Sequence, residues 1–130
     1  RALAVSPRNV PLTVRYAEAL LKSGNPKAAH SLLLDLFNNV APTPEQIRFT
    51  ALAASAAGDV GDAYYYMSEY HIANGNLPLS VQQLELALAA PNLTEVQRQR
   101  FQARMDEVRE AISRDRKRKP EPGGERQASR

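Results

Sequence analysis

The residues of this chain that could do chemistry are few and concentrated. There are two histidines, His30 and His71, and four of the five tyrosines, Tyr64, Tyr65, Tyr66 and Tyr70, fall within "DAYYYMSEYHIA". The imidazoles could serve a metal, but a zinc site takes three or four ligands, and no convergent set accompanies the pair. Cysteine is absent, which removes thiolate ligands and disulfides together. His30 is read as a helix-surface residue and His71 as a packing or groove residue. The tyrosines could donate protons, but no nucleophile or paired base stands beside them. They read as core with partial exposure, the rings buried and the hydroxyls reaching water or a partner. The basic run "RDRKRK" at 114–119 could meet nucleic acid. It lacks the interleaved aromatics of a stacking platform, and Lys and Arg suit the negative end of a helix dipole. No catalytic residue, no metal ligand and no cofactor are expected within this chain, which leaves binding as the chemistry to place.

Composition agrees with a folded binding module. The 130 residues are 43% hydrophobic and 24% charged, an ordinary balance for a domain with a core. The net charge of +3 is uneven: residues 114–130 carry seven Lys/Arg against three Asp/Glu, so the rest is close to neutral. The basic balance therefore describes a tail, and no nucleic-acid partner is expected for the folded part. No apolar run approaches the roughly 20 residues of a membrane span. The chain opens in mid-pattern without an initiator Met and is expected to be a fragment or a mature form.

Positioning such a face requires elements, and these recur. Gly24 and Gly58 lie 34 residues apart, as do Ala29 and Ala63. Thirty-four is the tetratricopeptide period, a helix, a Gly-containing turn and a second helix. One repeat runs from Val10, with Tyr16-Ala17, Gly24-Asn25, Ala29, Leu33 and Leu36 in register. A second runs over 61–94, with Tyr64, Met67, Ser68, Gly75-Asn76, Leu84 and Ala87-Leu88 at matching places. Residues 1–9, "RALAVSPRN", read as the end of a preceding helix, with Ala2, Leu3 and Pro7 in register. The pattern predicts helices at 10–23, 26–39, 44–57, 61–74, 78–90 and 94–114, started by Asn9, Thr43-Pro44-Glu45-Gln46 and Thr94-Glu95-Val96-Gln97. The helix over 62–74 closes one pair and opens the next, so it should be apolar nearly all round. Ala17, Ala29, Ala51 and Ala63 are expected at close helix crossings. The last helix carries Phe101, Met105, Val108 and Ile112 on one stripe and reads as a cap over the open end. The expected fold is thus all-α: a tetratricopeptide helix-turn-helix solenoid over 10–114 with a long C-terminal capping helix, then a disordered charged tail over 115–130.

The stretch "DAYYYMSEYHIANGNLPLSVQQLELALAAPNLTEVQRQRFQARMDEVREAI" resembles the C-terminal region of bacterial periplasmic zinc metalloproteases with a tetratricopeptide tail, the beta-barrel assembly-enhancing protease family. The likeness is densest over 59–112 and weaker over 8–58. It rests on the ordered combination of a Tyr-rich helix, "QQLELAL" and the "ARMDEVRE" helix. That family's catalytic signature is H-E-x-x-H on a helix, and neither His30 nor His71 stands in that context. The resemblance implies that the peptidase domain, with its zinc, lies upstream of Arg1. It also implies a periplasmic, non-catalytic role for this chain. The implied partners are the protease domain in cis, the outer-membrane assembly machinery and unfolded outer-membrane proteins. The other reading is a generic tetratricopeptide scaffold of an unrelated cytoplasmic or envelope protein.

In this fold the first helix of each pair lines the concave surface. By register that face holds Val14, Glu18, Leu21 and Lys22; Arg48, Leu52 and Ser55; and Tyr65, Glu69 and Ile72. The groove candidates for a partner are Glu18, Lys22, Arg48, Tyr65, Glu69 and Ile72. Chaperone-binding relatives clamp a terminal carboxylate with Lys and Asn at two such positions. Here these are Val14/Glu18, Arg48/Leu52 and Tyr65/Glu69, so an acidic C-terminal peptide is not the expected ligand. A mixed apolar and charged groove suits an extended or helical protein segment.

Overall fold

Five of the six helices start where a short polar side chain accepts from a free backbone N–H, a need that every helix N-terminus has, and the one that opens at Pro26 lacks such a bond. In this computed structural model, which describes residues 9–118, six helices result. They are α1 (Val10–Lys22), α2 (Pro26–Phe37), α3 (Pro44–Ala56), α4 (Val60–Ala73), α5 (Leu77–Leu88) and α6 (Glu95–Arg118). Asn9 Oδ1 accepts from Leu12 N at 3.1 Å, and Asn76 Oδ1 accepts from Leu79 N at 3.2 Å. Thr43 and Gln46 exchange bonds of 3.2 and 2.9 Å in a capping box, and Thr94 and Gln97 do the same at 3.0 and 3.0 Å. Gly24 and Gly75 end α1 and α4 with φ of +86° and +78°, a backbone conformation that only glycine adopts without strain. No strand occurs among the described residues.

The all-α expectation holds, and the six helices stand close to where the periodicity puts them. The last one runs to Arg118, so residues 115–118, expected in the tail, continue the helix. The expectations for the preceding helix over 1–8 and for disorder beyond 118 lie outside the described residues.

Neighbouring helices pack in chain order, and two further contacts skip one helix, α1 with α3 and α4 with α6. These divide the molecule into two three-helix halves with separate cores. In the first, Ala17, Ala29, Leu33 and Ala53 are fully buried, with Val14, Leu20, Leu21 and Phe49 packed on them. In the second, Leu84, Ala87, Phe101, Met105 and Val108 are buried beneath Tyr64, Tyr65, Ile72 and Ile112. The α6 stripe therefore caps the second half as its spacing predicts.

A second period accounts for this division. Gly24 and Gly75, Thr43 and Thr94, and Gln46 and Gln97 are identical pairs, each 51 residues apart. The same offset relates Ala17 to Ser68, Ala29 to Ser80 and Leu33 to Leu84, and all six have 0% exposure. Burial thus repeats with a three-helix unit. The 34-residue spacing carries over less: Ala29 is fully buried, whereas Ala63 is half-buried on a cleft wall. Helix α4 also departs from the uniformly apolar helix expected, since its buried positions are Gly61, Asp62 and Ser68 while the tyrosines are half-buried.

The tight crossing on α4 falls at Gly61. A Cβ there would stand 2.5 Å from Leu93 Cδ2 and 3.1 Å from Phe101 Cε2. Leu93 is half-buried and can turn, but Phe101 is fully enclosed. Gly61→Leu should therefore lower the thermal midpoint, with an overpacking cost of about 1–3 kcal/mol. Ala63→Leu has the cleft to grow into and should shift it little, by roughly 0.5 kcal/mol or less. Thermal denaturation followed by circular dichroism checks the order; the reverse ranking would place the close approach at Ala63.

Candidate functional site

Two stripes of like spacing face each other across the seam between the halves. Arg48, Ala51, Leu52 and Ser55 recur on α3 at i, i+3, i+4 and i+7, and Val60, Ala63, Tyr64 and Met67 do so on α4. Residues with this spacing share one helix face. The small side chains among them leave room instead of filling it. The result is a cleft of about 570 Å³, mostly apolar, with Gln83 of α5 at its edge. Leu52 is 58% exposed on one wall. An open recess with apolar walls and a few polar groups is the usual form of a binding site.

Of the groove residues expected from sequence, Arg48, Leu52 and Ser55 lie on this cleft. Arg48 also reaches Glu45 at 3.5 Å and stands 5.9 Å from the Tyr70 ring centre. Glu18 and Lys22 are exposed on α1 and do not line it. Tyr65, Glu69 and Ile72 are placed differently from the expectation, because α6 covers their face of α4. Tyr65 stacks on Phe101 with ring centres 5.2 Å apart and carries the Arg100 guanidinium 4.7 Å above it. Glu69 holds Arg104 through two bonds, at 2.7 and 3.2 Å. Ile72 packs on the second core. The cleft residues that sequence reasoning missed are Ala51, Val60, Ala63, Tyr64, Met67 and Gln83. The i, i+3, i+4, i+7 run of Val60, Ala63, Tyr64 and Met67 is the available signal, but it lies in a helix whose apolar residues on every side hide it.

The opposite side of α4 closes the seam with polar groups. Asp62, only 3% exposed, stands about 200° around the helix from Val60. Gln97 Nε2 donates to Asp62 Oδ1 at 2.9 Å and to Asp59 Oδ1 at 3.0 Å, and Arg100 Nη2 donates to Asp62 Oδ1 at 3.0 Å. His30 reaches across from α2, its Nε2 3.3 Å from Asp62 Oδ2 and 4.0 Å from Asp59 Oδ2. His30 is thus no surface residue: it is 7% exposed. Its contact with Asp62 is close but off the line of a good hydrogen bond, and neither ring nitrogen has a hydrogen-bond partner. One ligand atom each from His30, Asp59 and Asp62 lie within 4.8 Å of one another, so these three could hold a cation.

Titration follows surroundings. Burial pushes the Asp62 carboxyl up, but the adjoining His30 imidazole, the Gln97 amide and the Arg100 guanidinium outweigh it, and the group ionises below its ordinary range. Burial raises the phenols of Tyr65, which also faces Glu69, and of Tyr66. The Glu69 bond holds Arg104 more firmly charged than a free arginine.

The Glu69–Arg104 pair adds a further tie between α6 and α4, and it is partly buried on both sides. A double-mutant cycle with Glu69→Gln and Arg104→Ala should show a coupling on the order of 1 kcal/mol. Urea denaturation of the two single variants, the double variant and the parent measures it. A coupling near zero would leave α6 held by its apolar stripe and by the Gln97 and Arg100 bonds to Asp62.

Compared with protein-family models, with curated proteins and with solved structures, the chain matches none of them.

Proposed function

We propose that this chain is a non-catalytic protein-interaction module of the tetratricopeptide kind, and that it takes a segment of another protein into the cleft between α3 and α4. The observation that carries the reading is the cleft itself: two apolar stripes left apart, with Leu52 and Val60 facing solvent at 58% and 41%. A monomer has no folding reason to keep such a surface uncovered, and contiguous exposed apolar walls mark interaction sites. Arg48 and Tyr64 add the residue types that dominate interface energies. The cleft fits an extended strand or one helix face better than a small polar metabolite, because its lining is mostly apolar.

The narrower reading rests on the resemblance over 59–112. It makes the chain the C-terminal module of a periplasmic zinc metallopeptidase concerned with outer-membrane protein assembly and quality control. The zinc chemistry would belong to that peptidase domain, and the module would position assembly machinery or unfolded outer-membrane protein for it. Among the described residues no helix is long and apolar enough to cross a membrane.

The test uses a urea-denatured outer-membrane β-barrel protein, diluted into buffer, as probe. Leu52→Lys should weaken capture at least tenfold while the helical signal holds, since this side chain already faces water. Deletion of 120–130, which carries no apolar anchor, should change capture little at physiological salt, where exposed charge is screened. Capture lost with the deletion and kept in Leu52→Lys would move binding to residues 120–130. Absence of capture by the parent chain would remove the outer-membrane reading.

A further inference from the structure

The polar cluster behind α4 has a feature that a set of ion pairs does not need. Its two carboxylates divide their oxygens by role. Asp59 Oδ1 accepts from the Asp62 backbone N–H at 3.1 Å and from Gln97 Nε2 at 3.0 Å. Asp62 Oδ1 accepts from Gln97 Nε2 at 2.9 Å and from Arg100 Nη2 at 3.0 Å. The Oδ2 atoms are left toward His30, and of these only Asp59 Oδ2 receives a further contact, from Gln97 Nε2 at 3.3 Å. Outer hydrogen bonds that fix one oxygen of a carboxylate and free the other are how proteins orient metal-binding acids.

His30 is the independent observation. It comes from α2 in the other half, is 7% exposed, and presents Nε2 to the two Oδ2 atoms at 3.3 and 4.0 Å. Neither of its nitrogens is hydrogen-bonded, although a buried polar group without a partner is costly. Asp59 and Asp62 bring two carboxylates together, with the Arg100 guanidinium on Asp62 Oδ1. A bound cation would take the His30 nitrogen and both outward carboxylate oxygens at once.

We propose that His30 Nε2, Asp59 Oδ2 and Asp62 Oδ2 bind one divalent first-row transition ion, zinc suiting them best. Zinc takes imidazole nitrogen and carboxylate oxygen at about 2.0–2.2 Å in a tetrahedron, whose edges are then about 3.4 Å. The Nε2–Asp62 edge already has nearly that length, the Nε2–Asp59 edge closes from 4.0 Å by about 0.6 Å, and the carboxylate oxygens lie within 4.8 Å of each other. Calcium would need six or more oxygens, and magnesium rarely takes a nitrogen. The fourth position falls to water. A surface recess of about 280 Å³, bordered by Gly58, Asp59, Asn92 and Gln97, gives the ion a way in, and the Asp59 side chain is 37% exposed there. Arg100 remains on Asp62 Oδ1, outside the coordination sphere. The ion would join α2 to the start of α4 and so fasten the two halves together. This inference does not rest on protein binding in the cleft, which lies on the other face of α4.

The test uses the whole chain, stripped with a chelator, and zinc as the probe. Calorimetry and metal analysis after dialysis should give one zinc per chain, and zinc should raise the thermal midpoint where magnesium and calcium do not. Asp59→Asn keeps the helix cap, for which Asn serves as well as Asp, and should weaken zinc at least tenfold without moving the metal-free midpoint much. His30→Gln should abolish stoichiometric retention. In the parent chain, zinc should shift the nuclear magnetic resonance signals of the His30 ring and leave those of His71 in place. Four outcomes would overturn the proposal: no stoichiometric binding, binding undiminished in both variants, a zinc response at His71 alone, or a midpoint that answers to pH but not to zinc.

Discussion

One buried carboxylate sets the terms for the rest of the molecule. Asp62 sits where α2, α4 and α6 come together, almost wholly removed from water. A charge in that position is tolerable only if several groups address it. It draws Gln97 and Arg100 from α6 and His30 from α2, residues separated from it by more than thirty positions in the chain. The halves therefore meet through a polar junction whose members have no good alternative partners. Apolar packing brings α3 and α4 together, while Asp62 ties α4 to α2 and α6.

The seam is consequently two-faced. Behind α4 it is closed by charge and hydrogen bonds; in front it is left open, because Ala51, Ser55 and Ala63 are too short to meet across it. The same smallness that lets two helices run side by side leaves a concavity once the stripes diverge. A helix crowded on three sides has little freedom in its sequence. Gly61 makes room for Phe101, Ser68 and Asp62 fill tight or polar positions, and the tyrosines occupy the partly wet remainder.

Much of this architecture was legible in the residues. Helix starts followed from Asn9, Thr43 and Thr94, and helix ends from the glycines, because caps are local and depend on neighbours three or four positions away. The stripe of Phe101, Met105 and Val108 likewise announced a covering helix. What the stripe covers could not be read, since a period marks a face but does not say which other helix meets it. That is why Tyr65, Glu69 and Ile72 were taken for groove residues. His30 was misjudged for the same reason: on a helix whose neighbours are Ser31 and Lys27, only Asp62, 32 residues later, accounts for its burial. The 51-residue period was harder to see than the 34-residue one because it equates Ala with Ser at two buried positions. It preserves size and burial more than residue type.

The division into two cores also bears on how the chain assembles and comes apart. Nearly all helix contacts are between sequence neighbours, a topology of low contact order that folds quickly. Each half can gather its own apolar cluster without the other, whereas the Asp62 junction needs groups from both and cannot close until they have docked. The clusters thus draw on contacts near in the chain, and the junction on contacts far apart in it. Because α3 and α4 are also closely packed, parting the halves gives up that apolar contact and the Asp62 junction together.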